Sequence, residues 1–185
     1  MQLNKQFKFH ILYSNTININ TRLTLCFVQY APILYTIKNM GKASRAIIIE
    51  NGKILVMFRN KEGSKYFTLV GGRLNEGETT EQALIREIKE ETGLNITSSR
   101  LVYIEEHPEP YNEQFIYVCE VAPHSDVAIQ DDAEEALMNR VSINVHVPAW
   151  SDISSFSNLP FRTPQLQQAI VLGLKKGFPK TPVKL

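Results

Sequence analysis

The most informative part of the sequence reads Gly72-Arg73-Leu74-Asn75-Glu76-Gly77-Glu78 and continues, seven residues later, as Arg86-Glu87-Ile88-Lys89-Glu90-Glu91-Thr92-Gly93-Leu94. Thr79 and Gln82 have the spacing of a capping box, in which each side chain bonds the backbone of the other residue. Gly93 suits the position just after a helix end, where the chain needs a left-handed conformation. The sequence therefore predicts a helix that Thr79 caps at its start and Gly93 at its end.

The predicted helix has an apolar stripe with acidic residues along its border. At about 100° per residue, the buried stripe consists of Leu84, Ile85, Ile88 and Thr92. Glu91 falls only about 20° from Leu84 on the helix circumference. Glu87 and Glu90 lie beside Glu91, because positions three and four apart are neighbours on a helix.

Three neighbouring carboxylates at the edge of a buried face need a compensating charge. A run of charges like this one is usually a solvated surface. Here burial makes the charged form costly and the like charges repel, so a divalent cation is the natural partner. Oxygen donors without His or Cys favour Mg²⁺, with Mn²⁺ as a substitute.

This stretch resembles the signature of the Nudix hydrolase family (MutT-like). That signature is Gly, five residues, Glu, seven residues, Arg-Glu, an aliphatic, any residue, Glu-Glu, any residue, Gly and an aliphatic, and Gly72 to Leu94 matches every fixed position. The resemblance implies an α/β/α sandwich with a mixed β-sheet. It also implies Mg²⁺-dependent hydrolysis of a phosphoanhydride bond, by attack of metal-activated water at phosphorus. The substrate would be a nucleoside diphosphate linked to another moiety, or a nucleoside triphosphate.

The resemblance further implies a role for each residue of the motif. The metal-site residues that it implies are Gly72, Glu78, Glu87, Glu90 and Glu91. The catalytic residues would be Glu87, Glu91 and Arg86, with Glu87 acting either as a metal ligand or as the general base. Glu78 either assists the metal site or pairs with Arg86. A plain surface pair with Glu90 is the simpler alternative for Arg86.

Arg59 and Gly71 are the candidate substrate-binding residues. By the same resemblance, Arg59 lies where a phosphate contact is expected, and its fork geometry suits a terminal phosphate, although a surface arginine is the alternative. Gly71 would let the backbone approach the substrate closely, and a hairpin glycine without a ligand is its alternative.

A later acidic run and several aromatic residues leave the substrate open. The run could supply a further metal ligand, but a flexible solvated loop is favoured for it; it comprises Asp131, Asp132, Glu134 and Glu135. Pro108 and Pro110 fall near a marker of ADP-ribose hydrolysis in the family, whereas Tyr111 falls near one of diadenosine polyphosphate hydrolysis. Four aromatic residues could stack on a base, although packing is the favoured role for each; they are Phe67, Tyr111, Phe115 and Trp150.

The rest of the chain predicts a mixed α and β architecture. Asn51-Gly52 predicts a tight hairpin. The predicted strands cover residues 46–49, 54–58, 66–70, 101–104 and 115–121. A last helix is predicted from Thr163 or Pro164 to Lys176, with Leu166, Ile170 and Leu174 on one face.

Composition changes near residue 40. Residues 1–40 contain no Asp or Glu. They are expected to be an N-terminal extension, either poorly ordered or upstream of the natural start at Met40, and a targeting arm is the alternative. The Nudix domain is expected to cover residues 41–178, and residues 179–185 are expected to form a C-terminal tail.

Charge and cysteine content limit the class of partner. Twenty basic and nineteen acidic side chains give a formal net charge of +1, which predicts a small molecule and neither nucleic acid nor a membrane as partner. The resemblance implies that this small molecule is a nucleotide-type substrate. The two cysteines form no metal or disulfide motif, so a cytoplasmic location is expected. Nudix proteins often pair, so a homodimer is an expectation from the resemblance. The alternative function is a Nudix-fold module that binds a nucleotide derivative without turnover.

Overall fold

The computed structural model describes residues 41–106, 113–142 and 144–185. The strands in these ranges are β1 (Ala43–Glu50), β2 (Lys53–Lys61), β3 (Ser64–Thr68), β4 (Ile96–Glu106), β5 (Glu113–Val121), β6 (Asn144–Asp152) and β7 (Val183–Lys184). The helices in the same ranges are α1 (Thr80–Thr92), α2 (Glu134–Arg140), α3 (Ile153–Phe156) and α4 (Pro164–Lys176). None of these helices combines the length and the apolar character that crossing a membrane requires.

Strand β2 leaves strand β1 soon after their hairpin. Asn51 and Gly52 form the predicted turn with φ values of 50° and 75°, and β1 pairs with β2 only next to it. Beyond the turn, β2 pairs antiparallel with β6 along its length and with β3 at its far end. The free edge of β1 pairs instead with the segment before α1, where the Ala46 amide donates to the Val70 carbonyl.

The other edge of β1 continues the sheet. β1 runs parallel to β5, β5 is antiparallel to β4, and β4 is parallel to β7. Parallel and antiparallel pairs therefore coexist, and the mixed sheet predicted from the sequence is confirmed. Residues 179–185, expected to be a tail, contribute β7 to this sheet.

Two apolar layers cover the two faces of the sheet. Ala46 and Ile48 pack with Leu84 and Ile88 of α1 on one face. The alternate residue of β1, Ile47, packs on the other face, in a cluster that includes Ile54, Val56, Leu166 and Ile170. This period of two is what a strand buried on both faces produces. The predicted α/β/α sandwich is therefore confirmed.

Helix α1 begins and ends as predicted, but the prediction of its buried stripe was wrong at one residue. Thr79 and Gln82 form both bonds of the capping box, and Gly93 is left-handed at the C-terminus. Ile85, predicted to be buried, is 53% exposed. The buried face is rotated toward the acidic residues, and it consists of Ala83, Leu84, Glu87, Ile88, Glu91 and Thr92.

Several elements escaped prediction. The acidic run that was expected to be a flexible loop leads into α2, with Glu134 and Glu135 in its first turn. Strand β6 was missed because it contains Pro148, which a central strand rarely tolerates. Pro148 pairs with Met57, and β6 has β2 as its strand partner. Proline is compatible with an edge strand, because such a strand needs hydrogen bonds on one side only.

The capping box gives a test of the local prediction. We expect Thr79→Ala to lower the free energy of unfolding by about 1 kcal/mol, because the amide of Gln82 loses its acceptor. Thr79→Ser keeps the hydroxyl and should stay close to wild type. Urea denaturation followed by circular dichroism measures the difference, and equal midpoints for the alanine and serine variants would contradict the cap.

Candidate active site

A cleft of about 930 Å³ lies where β1 and β2 separate. The carboxylates of α1 line one part of it, and the glycine segment before α1 lines its edge. Residues of β2, β3 and β6 line the remainder, together with the start of α2. The cleft therefore brings the motif predicted from the sequence together with residues from distant parts of the chain.

Arg86 connects the loop before α1 to the carboxylates of the helix. Its Nε and Nη2 donate to the two oxygens of Glu78 at 2.7 and 2.9 Å, while Nη1 donates to Glu87 at 2.8 Å and to Glu90 at 3.0 Å. Nη2 also donates to the carbonyl of Arg73 at 2.9 Å. The interpretation of Arg86 as a plain surface partner of Glu90 is therefore wrong.

The charges of this network stabilise one another. The hydrogen bonds from Arg86 hold the pKa of Glu78 below its usual value. In turn, the carboxylate of Glu78 is the main reason why the pKa of Arg86 is raised. Both groups therefore remain ionised. Glu78 pairs with Arg86, which is one of the two roles predicted for it.

Glu87 and Glu91 are buried in spite of their charge. Glu91 is 2% exposed, and one of its oxygens accepts the Gly71 amide at 2.5 Å. Burial raises the pKa of Glu91 to about 8, against the opposing effects of Arg45 and the Gly71 amide. Burial also raises the pKa of Glu87, although Arg86 counteracts it. The sequence placed Glu91 only at the border of the core, and the fold buries it.

Gly71 and Gly72 are required because neighbouring groups lie too close to the backbone for any side chain to fit. Gly71 has a φ of 118°, and a Cβ there would collide with the carbonyl oxygen of Ser44. Its amide binds Glu91 and its carbonyl accepts from Arg45, so both backbone groups are engaged within the protein. A Cβ on Gly72 would collide with the carboxylate of Glu87. The glycine pair thus allows the backbone to lie directly against the acidic cluster, which is formed by the carboxylates of Glu87, Glu90 and Glu91.

Glu135 approaches the acidic cluster from a separate helix. It lines the cleft, and its charge contributes to raising the pKa of both Glu87 and Glu91. It also interacts electrostatically with Arg59. The acidic run was predicted as a possible source of a further ligand without a choice among its four members, and the fold brings Glu135 to the cluster.

A row of polar side chains crosses the cleft on the other side. Arg59 of β2 is the strand partner of His146 on β6 and of Tyr66 on β3. The guanidinium of Arg162 lies 5.1 Å from the centre of the Tyr66 ring. Among these residues, only Arg59 was identified from the sequence. The others could not be found, because their neighbourhood arises from strand pairing and not from spacing along the chain.

The residues of the acidic cluster fit a hard divalent cation. Their donors are carboxylate oxygens, and the absence of a side chain at Gly72 lets the Glu87 carboxylate lie directly against the backbone. In the described ranges, no three His, Cys, Asp or Glu side chains already converge on one point. Arg86 and the Gly71 amide hold the carboxylates instead. The carbonyl of Gly72 accepts the Ser44 amide at 2.9 Å.

The aromatic residues considered as base-stacking groups have other partners. Phe67 packs on Phe58, and the Phe115 ring lies beneath the ammonium of Lys42. Trp150 stacks on His124 in a separate cavity of about 420 Å³. The remaining aromatic residue, Tyr111, lies outside the described residues, as do Pro108 and Pro110.

Comparison with known proteins gives a family match. The NUDIX domain model matches residues 40–154. An ADP-ribose pyrophosphatase of Methanocaldococcus jannaschii is 37% identical over 95 residues, which cover 49% of this chain and 56% of that protein. A Bacillus subtilis protein provisionally named 8-oxo-dGTP diphosphatase is 29% identical over 96 residues, which cover 52% of this chain and 63% of that protein. The chain thus spans less than two thirds of the length of these curated relatives.

The fold is also similar to that of a solved NUDIX hydrolase. A NUDIX hydrolase from Nitrosomonas europaea superposes with a TM-score of 0.55 over 75% of this chain and 92% of that one. The two sequences are 22% identical, so the similarity concerns the fold alone.

The burial of Glu91 predicts a pH dependence of stability. Because its pKa in the folded protein lies near 8 instead of near 4.5, the folded state retains a proton that the unfolded state releases. In metal-free buffer, the free energy of unfolding should therefore fall as pH rises from about 4.5 to about 8. Chemical denaturation across this range measures it. Glu91→Gln cannot titrate and should weaken the dependence, and a wild-type slope retained in that variant would contradict the assignment.

Proposed function

Because this chain belongs to the NUDIX domain family, we propose that it is a metal-dependent hydrolase of phosphoanhydride bonds. Its substrate is a nucleoside diphosphate linked to another moiety, or a nucleoside triphosphate. The observation that carries the proposal is the burial of Glu87 and Glu91 against the two glycines, opposite a wall that bears Arg59. Buried carboxylates with raised pKa values in a cleft are typical of functional sites.

The names of the relatives support this reaction. One is called a pyrophosphatase and the other a diphosphatase, although their substrates differ. Both names describe cleavage of a bond between two phosphates. The motif residues of this chain, which lie within the region of the family match, supply the groups that such a reaction needs.

We assign the metal to the carboxylates of Glu87, Glu90 and Glu91. Glu78 assists through Arg86, and Gly72 contributes the remaining lone pair of its carbonyl and its lack of a side chain. Mg²⁺ is the ion proposed, and Mn²⁺ has similar ligand preferences. When bound, such an ion withdraws charge from the phosphates and lowers the pKa of an attacking water.

The protein's own groups position the reactants. Arg86 orients Glu87 and Glu90, and the Gly71 amide orients Glu91. This makes Gly71 a positioning residue, and the substrate contact first expected of it is not needed. Glu135 lies outside the Arg86 network and faces the cluster from α2. We therefore assign the role of general base, which accepts the proton of the attacking water, to Glu135 in place of Glu87.

A substrate panel tests the reaction. The purified chain is incubated with Mg²⁺ or Mn²⁺ and with ADP-ribose, 8-oxo-dGTP, diadenosine polyphosphates, nucleotide sugars or nucleoside triphosphates. We expect release of a nucleoside monophosphate or of inorganic phosphates from at least one of them, and its loss in EDTA and in Glu91→Gln. If the wild type binds one of these substrates tightly but does not turn it over, the chain is a binding module and not a hydrolase.

The role of Glu135 has its own test. Glu135→Gln should reduce kcat by about 100-fold and leave KM within a few-fold, because it removes a base and not a substrate contact. Asp132→Asn is the matched control, since Asp132 is an exposed member of the same acidic run. Asp132→Asn should keep the wild-type kcat, so the loss is expected in Glu135→Gln only. Full activity of Glu135→Gln would contradict this role and leave Glu87 as the proposed general base.

A further inference from the structure

Helix α2, which carries Glu135 into the cleft, has few features that would hold it in place by packing. It has seven residues, none of them is buried, and no side chain caps its N-terminus at Ala133. Leu137 of the same helix is 58% exposed. A helix this short is marginal in water unless the rest of the protein supports it. The position of Glu135 therefore requires a specific attachment of α2.

The side chain of Asn139 makes this attachment. Its Oδ1 accepts the backbone amide of His146 at 2.7 Å, and its Nδ2 donates to the backbone carbonyl of His146 at 2.8 Å. His146 lies on β6, which pairs with β2 on its other side. The amide of Asn139 thus occupies the outer edge of β6, where a further strand would pair. A primary amide suits this position, because it offers a donor and an acceptor side by side.

Asn139 and Glu135 lie on the same face of α2. Residues four apart are neighbours on a helix, so attachment at Asn139 fixes the direction in which Glu135 projects. Glu135 and Met138 both line the cleft, whereas Asn139 does not. The charge of Glu135 reaches Glu87 and Glu91. One end of the helix face is thus bound to β6 while the other end faces the acidic cluster.

The chain is also attached before α2, but that bond lies outside the helix. The amide of Gln130 donates to the carbonyl of Glu90 at 2.8 Å, which joins the segment before α2 to the end of α1. An attachment at this point limits where α2 begins and does not determine how the helix is rotated about its axis. Asn139 lies within the helix, so its two hydrogen bonds determine the rotation.

We propose that Asn139 is a positioning residue for the hydrolysis reaction, which docks α2 on the edge of β6 and thereby holds the carboxylate of Glu135 at the acidic cluster. Without the two hydrogen bonds, Glu135 is present but misplaced, and a displacement of about 1 Å can cost a catalytic group much of its effect. This assignment rests on the proposed function, because it concerns the residue that is assigned there as the general base.

Hydrogen–deuterium exchange of the metal-free chain tests the attachment without catalysis. Asn is a poorer helix former than Ala, so Asn139→Ala would protect α2 better if the side chain held nothing. We expect the opposite, an exchange rate of the α2 amides that is raised about tenfold, because two hydrogen bonds to β6 are lost. Wild-type protection of α1 in the same variant would show that the chain is folded.

A control on the same helix makes the exchange experiment specific. Leu137→Ala changes an exposed side chain of α2 and should leave the exchange of its amides as in the wild type. Asn139→Gln keeps both the donor and the acceptor on a longer side chain and should retain part of the protection. Unchanged or increased protection of α2 in Asn139→Ala would overturn the attachment.

Kinetics test whether the attachment acts through Glu135. With a substrate that the panel identifies, Asn139→Ala should lower kcat about tenfold and leave KM within a few-fold, because the base is displaced and the substrate contacts are kept. In a Glu135→Gln background, the same substitution should have no further effect on kcat, since the carboxylate that it positions is already absent. An equal fall of kcat in both backgrounds would overturn the positioning role.

The two proposals are distinguished by which measurement fails. If Asn139→Ala releases α2 in the exchange experiment but no substrate of the panel turns over, the hydrolase fails and the positioning role fails with it, while the attachment of α2 stands. If a substrate turns over and Asn139→Ala keeps the wild-type kcat, the hydrolase stands and the positioning role does not.

Discussion

The guanidinium of Arg86 is the constraint on which the arrangement of the acidic cluster depends. Its five N–H groups make five hydrogen bonds, to the carboxylates of Glu78, Glu87 and Glu90 and to the carbonyl of Arg73. A lysine has three donors at a single point and cannot span these acceptors. Arg86 thereby joins a loop that has little regular structure to a well-capped helix, and it lets three like charges lie close together. The glycine pair completes this link, because the loop can then lie against Glu87 and Glu91 without side chains between them.

The cleft exists because β1 and β2 separate after two residue pairs. β1 keeps the glycine segment at its edge, and α1 packs on the same face, so this half of the cleft is acidic. β2 instead carries Arg59 to a position between β3 and β6, so the opposite half bears cationic and neutral donors. The groups of a metal-bound diphosphate would meet opposite charges at the two walls. The polarity of the cleft thus follows from sheet topology as much as from the choice of residues.

The acidic half could be predicted from the sequence, and the opposite half could not. Helix α1 places Glu87, Glu90 and Glu91 by a fixed rotation per residue, and its cap residues define both ends. Even here, the stripe was assigned by hydrophobicity, so Ile85 was placed inside and the glutamates only at the border. The position of His146 depends instead on the register of β6 against β2, which are far apart in the chain. Neither spacing nor composition encodes that register, and Pro148 obscured the strand itself.

Buried polar groups without full compensation are concentrated around the cleft, and this distribution bears on function. Glu91 retains a raised pKa, and Arg59 and His146 each have a buried nitrogen without a hydrogen-bond partner among the described residues, whereas the two apolar layers alternate regularly along β1. Each such group lowers the stability of the folded chain, because water is lost and no equivalent bond replaces it. A ligand that brings a cation to one wall and a phosphate to the other would relieve both costs at once. The stability that the fold forgoes at the two walls of the cleft would then be available as binding energy.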